Sequence, residues 1–199
     1  MPPASPHSGR LVLVRHGRTE WSVSGQHTGT TDLPLLPEGE GDARRLADRL
    51  ASFDIHLALT SPLSRARRTA ELAGFGDARV DEDLREWDYG GYEGRTTADI
   101  REELGHDWTV FEHGVVPGAS QGETVEEVSA RASRVLERIY PALADGDVVL
   151  FGHGHALRIL AATYLRKEAR FGAHLLLDAG SMSVLETERE RPAIRLWNG

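Results

Sequence analysis

Cysteine is absent from this chain. Disulfides, thiolate metal sites and cysteine nucleophiles are thereby excluded, and the compartment is one that is reducing or indifferent to thiols. No apolar stretch reaches the length of a transmembrane helix. The opening residues, Met1 to Arg10, lack the apolar core of a signal peptide. Residues 1–9 therefore read as a disordered tail, residues 10–199 as a single domain, and the chain as cytoplasmic. Positive charge is also scarce. Against 31 Asp and Glu stand 23 Lys and Arg, a net charge of −8, which argues against nucleic acid and anionic membrane as partners. A small anionic ligand stays open, because the field in a cleft is set by the charges nearest to it.

Two catalytic signatures are missing as well. There is no His-Glu-x-x-His pair, and His153-Gly154-His155 has the wrong spacing for one, so neither a metal nor another cofactor is expected. There is no Gly-x-Ser-x-Gly elbow for a serine hydrolase. What remains is 40% hydrophobic and 27% charged over 199 residues, the composition of a soluble globular protein with a sizeable core.

Apolar runs alternate with helix-period stretches, the sign of an α/β protein. Leu11-Val12-Leu13-Val14 reads as a strand buried on both faces and runs straight into Arg15-His16-Gly17. Asp147-Val148-Val149-Leu150-Phe151 repeats the pattern and ends in Gly152-His153-Gly154-His155. Further strands are expected at 55–59, 79–80, 174–178, 181–186 and 193–197. Helices are expected from Pro37 to about Leu50, from Thr60-Ser61-Pro62 to about Ala73, over 96–104, from Glu123, and over about 155–165. A polar Gly/Thr-rich loop covers 24–32, and 87–121, with weak periodicity, reads as a short lid. No repeat or linker suggests a second domain.

Ligands in open α/β sheets gather beyond the carboxyl ends of the strands. Both histidine-bearing strand ends therefore point to one site. A neutral imidazole at His16 can attack phosphorus, whereas a lone strand-end histidine is otherwise a hydrogen-bonded core residue. Arg15 beside it matches phosphate oxygens bidentately, and Gly17 lets backbone approach a ligand. Arg65 falls in the first turn of the helix after a strand, where backbone N–H groups and the dipole also favour anions. Arg67 and Arg68 read as a solvated face. His153, between two glycines, is placed to stabilise charge on a transferred group. His155 reads as a capping residue of the helix that begins there. A carboxylic acid for the leaving group is to be sought among Glu82, Glu86, Glu93 and Glu123. Glu86 and Glu93, beside Trp87, Tyr89 and Tyr92, have the apolar neighbours that raise a pKa, and spacing alone does not choose between them.

Four separated motifs carry a resemblance over nearly the whole chain. They are Leu13-Val14-Arg15-His16-Gly17-Arg18-Thr19, Ser61-Pro62 with Arg65-Ala66 and Thr69-Ala70, Glu86 before Gly90-Gly91 and Tyr92-Glu93-Gly94, and Gly152-His153-Gly154. In that order they resemble the histidine phosphatase (phosphoglycerate mutase-like) superfamily. The resemblance implies a three-layer fold with a mostly parallel central sheet flanked by helices, a lid over the site and no metal. It implies a phosphohistidine at His16, a phosphate pocket of Arg15, Arg65 and His153, and Glu86 as the proton donor. The mutase members carry an Asn six residues after the nucleophile, where Ser22 stands here, and extra lid cations, where 96–118 offers only Arg101 among several acids. Hydrolysis of small phosphorylated metabolites is thus expected, with mutase-type transfer or non-catalytic binding of a phospho-ligand as the alternatives. The stretches at 21–34, 84–90 and 152–158 look like those of the fungal sedoheptulose-1,7-bisphosphatase and actinobacterial acid phosphatase groups. That likeness makes Gln26, His27, Thr28, Tyr89 and Arg158 candidate substrate contacts, with sugar phosphates among the substrates. A homodimer is the default assembly.

Overall fold

The computed structural model describes residues 8–199. Its centre is a six-stranded sheet built from β1 (Leu11–Arg15), β2 (Ile55–Thr60), β3 (Arg79–Val80), β4 (Asp147–Gly152), β5 (Met182–Glu188) and β6 (Arg191–Leu196) in the order β3-β2-β4-β1-β5-β6. The first four of these run parallel, while β5 and β6 are antiparallel to their neighbours, so the sheet is mixed. The helices are α1 (Glu20–Ser24), α2 (Pro37–Leu50), α3 (Ser64–Leu72), α4 (Thr97–Leu104), α5 (Val110–His113), α6 (Val125–Asp145) and α7 (Gly154–Tyr164).

The uninterrupted apolar run of β1 has a direct cause in this layering. Leu11 and Leu13 belong to the core on one face of the sheet, Val12 and Val14 to the core on the other. β4 divides in the same way, Val148 and Leu150 against Val149 and Phe151. Residues of α6, α7 and the 84–111 segment fill the first core, and Leu46, Leu50, Ala70 and Ala73 fill the second. Burial on α6 follows the apolar stripe Val125, Val128, Ala132, Val135, Leu136, Ile139 and Leu143, the facing stripe of an amphipathic helix. Three layers result, as the fold class requires.

Several expectations need correction. Of the tail over 1–9, residues 1–7 lie outside the described residues, but Gly9 is buried and its N–H donates to the Leu143 carbonyl. α3 begins at Ser64, not at Pro62; Leu63 supplies no cap, and Asp32 from the 24–32 loop accepts from the Ser64 N–H at 2.9 Å instead. The residues at 174–178 form no strand. Leu175 and Leu177 are buried and Leu176 is 69% exposed, so the period-two pattern is real, but both flanks of β5 are already taken by β1 and β6. Their polar groups are met from the end of the chain: Trp197 Nε1 donates to the Leu176 carbonyl, and the Asp178 N–H donates to Asn198 Oδ1. Within the 87–121 stretch, expected as a short lid, Trp87, Tyr89, Tyr92, Ile100, Trp108 and Phe111 are core residues. Two short helices, α1 and α5, escape a periodicity reading through their length of five and four residues.

Candidate active site

The register of β1 on β4 pairs Arg15 with Gly152, and the His16 N–H donates to the Gly152 carbonyl at 3.0 Å. The two carboxyl ends are thus side by side, and the rings of His16 and His153 meet edge to face with centroids 5.1 Å apart. His16 Nδ1 lies 2.8 Å from the Gly17 carbonyl, which can only accept. The ring proton is therefore on Nδ1, and Nε2 holds its lone pair with no partner among the described residues. Burial, then Arg65 and Arg15, holds the imidazole pKa well below its ordinary value, so this ring is uncharged at neutral pH.

Arg15 is nearly enclosed. Its Nη1 donates to the Leu177 carbonyl, and its Nε is, among the described residues, the one fully buried side-chain polar atom without a hydrogen-bond partner. Arg15 also borders the cavity, so a guanidinium stands there beside an uncharged imidazole, a pairing that favours an anion. Gly154 leaves it room, since a Cβ there would stand 3.3 Å from Arg15 Cζ. Gly17 has a different reason for being glycine than ligand approach: a Cβ would fall 2.2 Å from the Gly39 carbonyl oxygen, where the end of β1 crosses the start of α2.

Arg65 and His153 stand behind this front. Arg65 is fully buried and donates from Nε to His153 Nδ1 (3.2 Å), from Nη1 to the Thr31 carbonyl (2.8 Å) and from Nη2 to the Thr28 carbonyl (3.0 Å). Because Arg65 can only donate, the His153 proton is on Nε2, which reaches Ser61 Oγ at 2.7 Å. Burial, Arg65 and His16 keep this ring uncharged as well. Neither residue lines the cavity itself.

The four candidate acids separate cleanly. Glu86 lines the cavity and accepts from the backbone N–H groups of Trp87 (2.8 Å), His155 (3.0 Å) and Ala156 (2.8 Å), so it caps α7 from a distant segment. Glu93 instead clasps the 24–32 loop, accepting from the Gly29 and Thr31 N–H groups at 3.0 Å each. Glu123 pairs with Arg131 and Glu82 with Arg85, both away from the cavity.

The cavity over His16 holds about 240 Å³ and is bordered by Arg15, His16, Glu86 and all five candidate substrate contacts, Gln26, His27, Thr28, Tyr89 and Arg158. Gln26 is spent on the Gly94 carbonyl and the Ser24 hydroxyl. Burial lowers His27 to about 4. Arg158 rests 4.7 Å above the Phe111 ring and gives Nε and Nη2 to the Gly172 and Ala173 carbonyls. The sequence reading missed Trp21, Thr97, Leu177 and the ring of His155, which also border the cavity. For Trp21 a signal existed, its place five residues after His16; Leu177 offers none. Among the described residues no group of three or more His, Asp or Glu is arranged to hold a metal, and no helix is long and apolar enough to cross a membrane.

Fold and site together define an α/β enzyme that handles a phosphoryl-like anion beside an uncharged imidazole. The sequence model of the Histidine phosphatase superfamily (branch 1) matches residues 11–199, and the chain belongs to that superfamily. It is 39% identical over 194 residues to a sedoheptulose 1,7-bisphosphatase of Saccharomyces cerevisiae, covering 82% of this chain and 69% of that protein. An acid phosphatase of Mycobacterium tuberculosis is 34% identical over 177 residues, 88% of this chain and 85% of its own. A solved structure from Mycobacterium tuberculosis superposes with a TM-score of 0.90 at 32% identity, covering 96% of this chain and 97% of that one.

Proposed function

We propose that this protein is a phosphomonoesterase that hydrolyses small phosphorylated metabolites through a phosphohistidine on His16, in the cytoplasm. One observation carries the reading: His16 gives its ring proton to the Gly17 carbonyl, which leaves Nε2 free at a cavity that the Arg15 guanidinium also borders. The Nε2 lone pair forms the N–P bond as the P–O bond to the alcohol breaks. Arg15 meets the equatorial oxygens, and the field of Arg65, fixed in place by its bond to His153 Nδ1, offsets the charge that builds on them. Glu86 hands a proton to the departing alkoxide. In the second half it takes a proton from water, whose oxygen attacks phosphorus and frees inorganic phosphate and the neutral imidazole.

Retention and re-transfer of the phosphoryl group need cations to hold a second acidic group. Arg101, the one Arg or Lys of 96–118, is committed to the Trp108 carbonyl and to Asp107, which favours hydrolysis. The test is a rapid quench with p-nitrophenyl phosphate followed by intact-mass measurement. Wild-type protein is expected to carry one added phosphoryl group that is acid-labile, and His16→Ala to carry none and to lose turnover by about 10³-fold or more. Undiminished turnover in His16→Ala would overturn the mechanism.

A further inference from the structure

His155 looks like a capping residue in the sequence, yet at α7 it is the backbone N–H, not the ring, that meets Glu86. The ring does something else. Its Nδ1 lies 2.5 Å from the Tyr89 hydroxyl, and Tyr89 is a core residue whose phenol has no other partner among the described residues. A phenol that donates to Nδ1 puts the ring proton of His155 on Nε2. Nε2 has no partner among the described residues, and it is not sealed from space as Arg15 Nε is. It opens on the cavity, which His155 and Tyr89 both border.

The surroundings fix this arrangement. The His155 ring packs edge-on against Trp87, Tyr89 and Phe111, with centroids 6.4, 5.8 and 5.2 Å away. His27 lies 5.9 Å from it and 4.7 Å from Tyr89. A ring held on three sides by aromatics has one orientation, so its free N–H has one direction. Apart from Arg15, Arg158 and Glu86 the cavity presents uncharged hydrogen-bonding groups: Ser22, Gln26, His27, Thr28, Tyr89, Thr97 and His155 all border it. Such a wall suits hydroxyl groups better than a second phosphate or a carboxylate.

We propose that His155, with its tautomer set by Tyr89, is a specificity-determining residue that donates its Nε2–H to a hydroxyl of the leaving alcohol, so that the enzyme selects polyhydroxylated phosphate esters. The inference rests on the phosphomonoesterase reading above and adds the class of alcohol. Tyr89 is the positioning residue. A ring donor left without its acceptor penalises esters that lack the hydroxyl, the strongest form of selection a polar pocket offers.

The experiment measures kcat/KM for sorbitol 6-phosphate and n-hexyl phosphate, which have the same carbon count and differ in hydroxyls. Wild-type enzyme is expected to prefer the sorbitol ester. The preference, as a ratio, should fall about tenfold in His155→Phe, the size expected for one hydrogen bond to a neutral group. His155→Gln should recover part of it, and Tyr89→Phe should fall in between. A purely structural role would lower both esters together and leave the ratio unchanged. A wild-type ratio near one, or a ratio that stays within about twofold in His155→Phe, overturns the proposal. p-Nitrophenyl phosphate separates the two readings. Turnover of it with no sugar preference fails the specificity inference alone, whereas no turnover of any ester by wild-type enzyme fails the phosphatase reading and this one with it.

Discussion

Four histidines at the site, His16, His27, His153 and His155, share one electrostatic condition. Burial lowers the pKa of each, joined at His16 and His153 by Arg65 and at His155 by Arg158. Each ring is neutral in the fold and takes up a proton on unfolding once the pH drops below its ordinary value of 6.5. The unfolded chain then binds more protons, so this part of the stability is intact above that pH and is lost as pH falls toward the folded-state values. For His27, lowered from 6.5 to about 4, the full effect is about 3 kcal/mol. Urea unfolding at pH 7.5 and pH 5 is the measurement, with a loss of at least about 2 kcal/mol expected at the lower pH. Equal stabilities at the two values would mean that these rings are not neutral and buried. The same neutrality keeps the His16 lone pair available into mild acid, where an ordinary imidazole would be protonated.

At the scale of elements, the site is assembled by junctions more than by the strands themselves. β1 leaves the sheet through Gly17, whose N–H donates to Thr69 Oγ1 of α3 at 3.0 Å and whose α-carbon faces Gly39 of α2. Gly17→Ala forces a methyl to within 2.2 Å of the Gly39 carbonyl. It is expected to cost about 1–3 kcal/mol and to lower kcat/KM, because the displaced backbone carries His16. Denaturant midpoints read the first effect and steady-state kinetics the second; an alanine tolerated in both would show that the junction gives way easily. The 24–32 loop is held from two directions, by Arg65 on its carbonyls and by Glu93 on its N–H groups. That double grip is why one polar, glycine-rich loop can present His27 and Thr28 at fixed positions.

On the scale of the whole molecule, much of this was legible beforehand. β1 and β4 read correctly because both faces of each strand are covered, which leaves an unmistakable apolar run. α6 read correctly because its stripe is long enough to average out local noise. The segment at 174–178 misled because its alternating burial is produced by packing on a core without strand pairing, and pairing is a long-range fact. The site divides along the same line. Arg15, His16 and His153 were visible at strand ends, whereas the choice of Glu86 over Glu93 depends on which carboxylate reaches the start of α7 across 69 residues of chain. The ring of His155 was read as a cap because sequence cannot say whether a residue's backbone or its side chain serves the helix end.

The residues after β6 follow from this with a practical bearing. Trp197 and Asn198 hold the carbonyl of Leu176 and the N–H of Asp178, on either side of the Leu177 carbonyl to which Arg15 is tethered. Gly199 also exchanges both backbone hydrogen bonds with Met182. Deleting 197–199 should therefore loosen the tether of Arg15 from behind, with kcat/KM for p-nitrophenyl phosphate falling on the order of tenfold. An unchanged value would show that the tether keeps its place without this brace. Trp197, Asn198 and Gly199 thus brace the segment to which Arg15 is tethered, and changes to them are expected to be felt at the cavity.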